Sequence, residues 1–307
     1  MPYCLEDKLV IGISSRALFE MSLENEIFET QGLEAYCQYQ IDHEKEPLKP
    51  GPGFSLVKAF LELNKCTERD DRVEVIIMSQ NRPDIAIRIF HSIEYYHLDI
   101  GRSIMVSGDS LVPYLKALNV DLFLSADENN VQSAIDNGLA AGIIYTQPQN
   151  EDSCYPKQDT SHIRIAFDGD AVIFTDKSER LFKQAGIDVF YENEKKYANE
   201  PLEPGPFARF LQRLSQMKDE CSDLNEKIRL ALVTARQAPA HERVIKTLRS
   251  WGVKVDEAFF LGGIEKKVIL KAFEAQIFFD DQRVHTDSAA LVVPSARVPY
   301  VGGALEL

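Results

Sequence analysis

The chain has 307 residues, 45% of them apolar, with 34 Lys or Arg against 48 Asp or Glu and a formal net charge of −14. That length allows two domains of ordinary size and a packed core without help from metals or disulfides, and the charge argues against non-specific nucleic-acid binding, which needs cations to meet phosphates. No apolar run approaches the ~20 residues that span a bilayer, so no membrane role is expected.

In chain order, apolar runs bounded by turn residues predict strands at 8–14, 73–79, 102–106, 120–125 and 141–145, with helices at 31–44, 53–65, 83–96, 110–118 and 128–138. A polar, unpatterned stretch, Asn150–Thr160, reads as a linker. Beyond it, strands are expected at 162–168, 228–234, 257–261, 275–280 and 290–293, and helices near 177–198, 206–218, 238–251 and 265–273. Strand–helix alternation favours parallel strands with right-handed crossovers. The fold class is therefore α/β, in two units: residues 1–150 and residues 160–307. Part of 176–205 exceeds what a single crossover needs and is expected to form a small helical cap carrying Arg180, Tyr191, Glu192, Asn193 and Lys196 as candidate substrate contacts. A solvated helix face is the plain reading of those five.

Four strand ends in the second unit carry polar groups. The first run ends in Asp168-Gly169-Asp170, the second in Thr234-Ala235-Arg236, the third in Gly262-Gly263 followed by Lys266-Lys267, and the fourth in Asp280-Asp281. Open α/β sheets place ligand sites at the carboxyl ends of their strands. One aspartate of a pair can attack phosphorus while the other moves protons. A hydroxyl and an ammonium suit the non-reacting phosphate oxygens, and paired carboxylates suit magnesium. Each piece alone has an ordinary explanation as a turn, a cap or a surface lysine. Their order is harder to explain that way.

That order, aspartate pair, Ser/Thr, Lys, aspartate pair, resembles the four motifs of the haloacid dehalogenase (HAD) superfamily of phosphohydrolases. The wording at 167–172 (FDGDAV), 232–236 (LVTAR), 248–252 (LRSWG) and 278–282 (FFDDQ) is similar to one branch, the cytosolic type I 5′-nucleotidases, as is Ser14–Phe19. The resemblance covers roughly residues 8 to 301. It implies hydrolysis of a nucleoside 5′-monophosphate to nucleoside and phosphate with Mg2+, in the cytoplasm; the strand-end residues by themselves imply only phosphoryl transfer. Asp168 would be the nucleophile and Asp170 the acid and then the base. Thr234 and Lys266, or Lys267 in its place, would hold phosphate oxygens, with Ala235 and Arg236 beside the substrate. Magnesium would sit on Asp168, the Asp170 carbonyl, and Asp280 or Asp281. Two other readings stand beside this one: a phosphatase or phosphotransferase for another phosphomonoester, and a nucleotide-binding sensor with little turnover.

The chain also repeats itself. Glu46–Pro52 recurs as Glu200–Pro206, 154 positions on, and the same offset sets Ser14 against Asp168 and Gly32 against Gly186. With one more residue of offset, Ser79 meets Thr234 and Ser125 meets Asp280. This reads as a duplicated α/β unit. The first copy has Ser14, Arg16, Leu111, Ser125 and Ala126 where the second has Asp168, Asp170, Lys266, Asp280 and Asp281, and so is expected to be catalytically empty. It is left with a dimer-like interface and homo-oligomer formation, a cover over the active site, or a nucleotide effector site as its role. Arg16 is expected to hold an anion, to reach the substrate, or to close a salt bridge within its own half. The five scattered cysteines form no ligand pattern and read as reduced thiols. Met1–Lys8 lacks the basic-then-apolar pattern of a signal peptide.

Overall fold

The computed structural model describes residues 3–65, 72–144 and 162–303; the expected linker at 150–160, and Tyr145 at the end of an expected strand, lie outside them. The first half contributes β1 (Leu9–Ile13), β2 (Phe19–Glu20), β3 (Lys49–Pro50), β4 (Val73–Ser79), β5 (Arg102–Met105), β6 (Leu122–Ser125) and β7 (Ala141–Ile144). The second contributes β8 (Ile163–Phe167), β9 (Ile228–Thr234), β10 (Glu257–Phe260), β11 (Ile277–Asp280) and β12 (Ser295–Arg297). Ten of these form one sheet in the order β10-β9-β8-β11-β12-β7-β6-β1-β4-β5, while β2 and β3 make a separate ribbon. The central strands β1, β4 and β6 are buried along their whole length, as strands covered on both faces must be.

Every neighbouring pair in the large sheet is parallel except one. β12 and β7 run antiparallel, with Ala296 opposite Ile144 and Arg297 opposite Ile143. The two halves therefore share a sheet but point their strands in opposite directions. The carboxyl ends of β1, β4 and β6 lie at one margin of the sheet, and those of β8, β9 and β11 at the other. Ser14 and Arg16 therefore lie at the opposite end of the sheet from Asp168.

Within each half the strand order is the same. β5-β4-β1-β6-β7 in the first reads as β10-β9-β8-β11-β12 in the second. Local details match as well. Phe19 pairs with Pro50 in the ribbon, and Phe174 bridges Pro204. Ser92 Oγ accepts from Leu48 N at 2.9 Å, as Thr247 Oγ1 does from Leu202 N. Asp121 accepts from Val10 N at 2.9 Å, and Gln276 from Arg164 N at 3.0 Å.

Three expected elements differ. The helix expected at 31–44 is the second of two, Ser22–Gln31 and Leu33–Asp42, with Gly32 between them at φ 86° and ψ −179°. Lys177–Lys196 is broken the same way at Gly186, φ 84° and ψ 176°. No side chain but hydrogen tolerates that conformation cheaply. The strand expected at 290–293 begins instead at Ser295, because Val292 and Val293 donate back to Ala289 O and close the preceding helix, Arg283–Ala289. None of the described helices is long and apolar enough to cross a membrane.

Candidate active site

The carboxyl ends of β8 and β11 lie side by side, and Asp168 N donates to Phe279 O at 2.8 Å. This brings Asp168, Asp280 and Asp281 together, each buried, with one carboxylate oxygen from each inside a 4.8 Å cluster. Lys266, at the start of the helix Lys266–Phe273, reaches into them. Its Nζ lies 2.8 Å from Asp168 Oδ1 and 2.6 Å from Asp280 Oδ2. Asp280 Oδ1 accepts from Gln282 N at 2.8 Å.

Three carboxylates around one ammonium leave an excess of negative charge in a dry place. The Asp168 carboxyl is pushed up to about 7, by burial first and then by Asp280 and Asp170, against the downward pull of Lys266. Asp280 is raised by burial against the pull of Lys266. Asp281 is raised well above the usual range, by burial first and then by Asp280 and Asp168. For Lys266, burial disfavours the charge, yet Asp168 and Asp280 more than offset this and keep it protonated. One oxygen, Asp281 Oδ1, is buried without a hydrogen-bond partner among the described residues. An orphaned carboxylate oxygen beside two more carboxylates is the donor set a hard divalent cation takes.

Asp170 is itself extended, at φ −71° and ψ 141°, and Ala171 after it takes φ 60°. The Asp170 carboxylate is gripped on both oxygens by Arg236, from Nε and Nη2 at 2.7 Å each. The other guanidinium nitrogen holds Glu194, which Arg243 also binds at 2.9 Å. Thr234, at the end of β9, is buried; its Oγ1 accepts from Arg236 N at 3.2 Å and faces Gly169.

The sequence matches the family model for 5′-nucleotidase across residues 1–304. The chain belongs to the 5′-nucleotidase family. Human cytosolic 5′-nucleotidase 1B is 37% identical over 294 residues, a span that is 92% of this chain and 47% of that protein. The chain thus spans about half the length of the curated relative it matches. The match supports the cytosolic type I branch of the family. Among solved structures, a chain of the Pnkp1/Rnl/Hen1 complex aligns with a TM-score of 0.33 and 13% identity over 95% of this chain and 96% of that one, a likeness too slight to bear on fold or function.

In this member of the family the strand ends do not contribute equally. Lys266 enters the acidic cluster, while the neighbouring Lys267 turns out to Glu265 at 2.9 Å. Ala235 is exposed beside the site. Arg236 is spent on Asp170 and Glu194 rather than left open to a ligand. Of the residues on 176–205, Tyr191 accepts from Gln237 near the site at 2.7 Å, whereas Arg180 pairs with Asp176 at the surface.

Sequence reasoning missed four members of the network. Tyr300 donates its hydroxyl to Asp281 and lies 3.0 Å from Glu179. Glu179 also takes Gln282 at 3.2 Å. Glu194 and Arg243 complete the shell behind Arg236. The one signal for Arg243 was its 155-residue offset from Arg88, which likewise donates to a backbone carbonyl of the repeated turn, Glu46 O against Glu200 O.

Proposed function

We propose that the chain hydrolyses nucleoside 5′-monophosphates to nucleoside and phosphate, and that the C-terminal half carries the chemistry. The observation behind this reading is the convergence of Asp168, Asp280 and Asp281 on Lys266 in a chain of the 5′-nucleotidase family. Asp168 attacks phosphorus, the ester bond to the nucleoside oxygen breaks, and an aspartyl-phosphate forms. Asp170 gives a proton to the departing oxygen, then takes one from the water that cleaves the aspartyl-phosphate and frees Asp168. Lys266 and Thr234 hold the oxygens that do not react. Asp168, Asp280 and Asp281, with the Asp170 carbonyl, would hold magnesium, and the orphaned Asp281 oxygen fits that assignment. Bound there, magnesium supplies charge neutralisation between the anionic nucleophile and the phosphate.

Arg236 positions Asp170. Its two-pronged grip on both carboxylate oxygens fixes the direction of that side chain.

The two halves read as HAD-like duplicated copies, residues 1–150 and 160–307, with the helix pair in 176–205 as the cap of the second. The shared strand order and matched hydrogen bonds support this reading, and the serines of the first copy make it catalytically empty. Phosphate release from a panel of nucleoside monophosphates and sugar phosphates, with and without magnesium, tests the function. Release from sugar phosphates alone, or undiminished release in excess chelator, sinks it.

A further inference from the structure

At the opposite margin of the sheet, where β1, β4 and β6 end, lies a cavity of about 520 Å³. That volume falls within the about 300–1,000 Å³ usual for small-molecule sites. Its floor is the first half's counterpart of the catalytic cluster: Ser14, Arg16, Ser79 and Ser125. The substitutions reverse the local charge. Where the second half gathers carboxylates that call for a metal, this floor offers hydroxyls and a guanidinium. Arg16 is half-buried and makes no ion pair or hydrogen bond among the described residues, so the salt bridge that was its plain alternative is not formed. The acids lining the cavity are occupied elsewhere. Glu24 pairs with Arg88 at 2.7 Å, and Asp127 caps its own helix through Asn130 N at 2.8 Å. Arg82, at the mouth, is paired with Asp84.

The wall above the floor is apolar and flat-sided. Phe28 and Tyr36 meet edge to face at 5.9 Å, and Leu33 and Ile85 adjoin them. Phe28 and Leu33 are 48% and 45% exposed, apolar area that a ligand would cover. Tyr36 donates to Asn81 Oδ1 at 3.2 Å, which leaves the Asn81 amide nitrogen free to meet a polar edge.

We propose that this cavity binds a small organic phosphate monoester with a planar body, without metal and without hydrolysing it. Arg16 and the hydroxyls of Ser14, Ser79 and Ser125 take the phosphate, and Phe28 and Tyr36 take the flat group. Hydrolysis fails for want of a nucleophile and base. Ser14 Oγ accepts from Ala17 N and has no carboxylate or imidazole partner among the described residues. The proposed function enters only in the choice of AMP as a probe.

The test is equilibrium binding to the full chain carrying Asp168→Asn, in excess chelator, with AMP, adenosine and inorganic phosphate as separate probes. AMP should bind saturably, with phosphate competing, and Arg16→Ala should weaken AMP by about tenfold or more. Thr234→Val, at the other margin, should leave that binding unchanged. No AMP binding tighter than about 1 mM would overturn the proposal, and so would indifference to Arg16→Ala or dependence on Thr234. Should Arg16→Ala not fold, photolabelling of the parent chain with an azido-AMP in chelator decides the matter: label on the segments bearing Phe28, Tyr36 or Ile85 supports the site, and label near Tyr191 or Gln237 overturns it. AMP hydrolysis with magnesium, measured on the unsubstituted chain, separates the two readings, since either can fail while the other stands.

Discussion

Asp168 sits where three buried carboxylates share one ammonium, and a neutral isostere there separates chemistry from folding. Asp168→Asn should lower kcat by about a thousandfold or more, while the melting temperature of the metal-free protein holds or rises, because a like charge has been removed beside Asp280 and Asp281. Phosphate release above about a tenth of the parent rate would remove Asp168 as nucleophile. Asp281→Ala should raise the magnesium needed for half-maximal activity and abolish magnesium-dependent thermal stabilisation; stabilisation equal to the parent's would show that the orphaned oxygen holds no metal. Arg236→Met leaves Asp170 unpaired and Glu194 dependent on Arg243 alone, so denaturant unfolding should show a loss of about 3–5 kcal/mol. A loss under about 1 kcal/mol would mean the network is slack.

Much of this site was readable from the sequence because its main residues sit at or just past strand ends, where an apolar run stops and polar residues begin. Asp168, Thr234 and Asp280 end or directly follow their strands, and Lys266 opens the helix after β10. Tyr300, Glu179 and Glu194 do not stand out in this way. Tyr300 comes from a segment past the last strand, and the two glutamates come from a helix whose face toward the site depends on a kink at Gly186. Nothing local marks a tyrosine as facing two carboxylates. Lys266 and Lys267 were equivalent on paper; the turn of the helix that begins with them decides which enters.

At the scale of elements, two glycines hold the helix pairs. Gly32 and Gly186 share a backbone conformation closed to other residues, and a Cβ at either would meet nothing within 4 Å. The cost of Gly32→Ala or Gly186→Ala is therefore backbone strain alone, about 1–3 kcal/mol in each case. Gly186→Ala should also reduce turnover, because its helix pair carries Glu179, Tyr191 and Glu194; Gly32→Ala should not. Equal turnover in both variants, measured at a temperature where both are folded, would detach the 176–205 helices from the site. Gly205 is bound by space instead. A Cβ there would lie 2.3 Å from Phe174 O, a backbone atom that cannot swing aside. The helix Ser22–Gln31 was missed because its residues are mostly polar, whereas the start expected at 31 falls within two residues of Leu33.

Across the whole molecule, a strand order shared by the two halves was the expectation from the repeat, but the order itself and the way the halves join were not legible. An offset of 154 residues says nothing about which strands of two copies will touch. The junction is made by β7 and β12, the same place in the strand order of each half, and its fit is close: a Cβ on Gly142 would lie 3.0 Å from Ala296 Cβ and 3.2 Å from the Phe279 ring. Gly142→Val should cost about 1–3 kcal/mol by overpacking. Calorimetry should show both halves destabilised together, since one sheet runs through them. Two separate transitions would argue against that coupling.

The same junction bears on solubility. The outer margins of the sheet are the short strands β5 and β10, which begin at the charged residues Arg102 and Glu257. A strand bordered this way resists adding another chain. β7 has no such protection: its four residues, Ala-Gly-Ile-Ile, are all buried and uncharged. Released from β12, it would present a bare, sticky ladder of amides and carbonyls to any similar strand. Each half thus acts as the other's edge guard, and a half produced alone would be driven to pair through β7 or β12 with a second copy of itself, re-creating between two chains the arrangement that this protein holds within one.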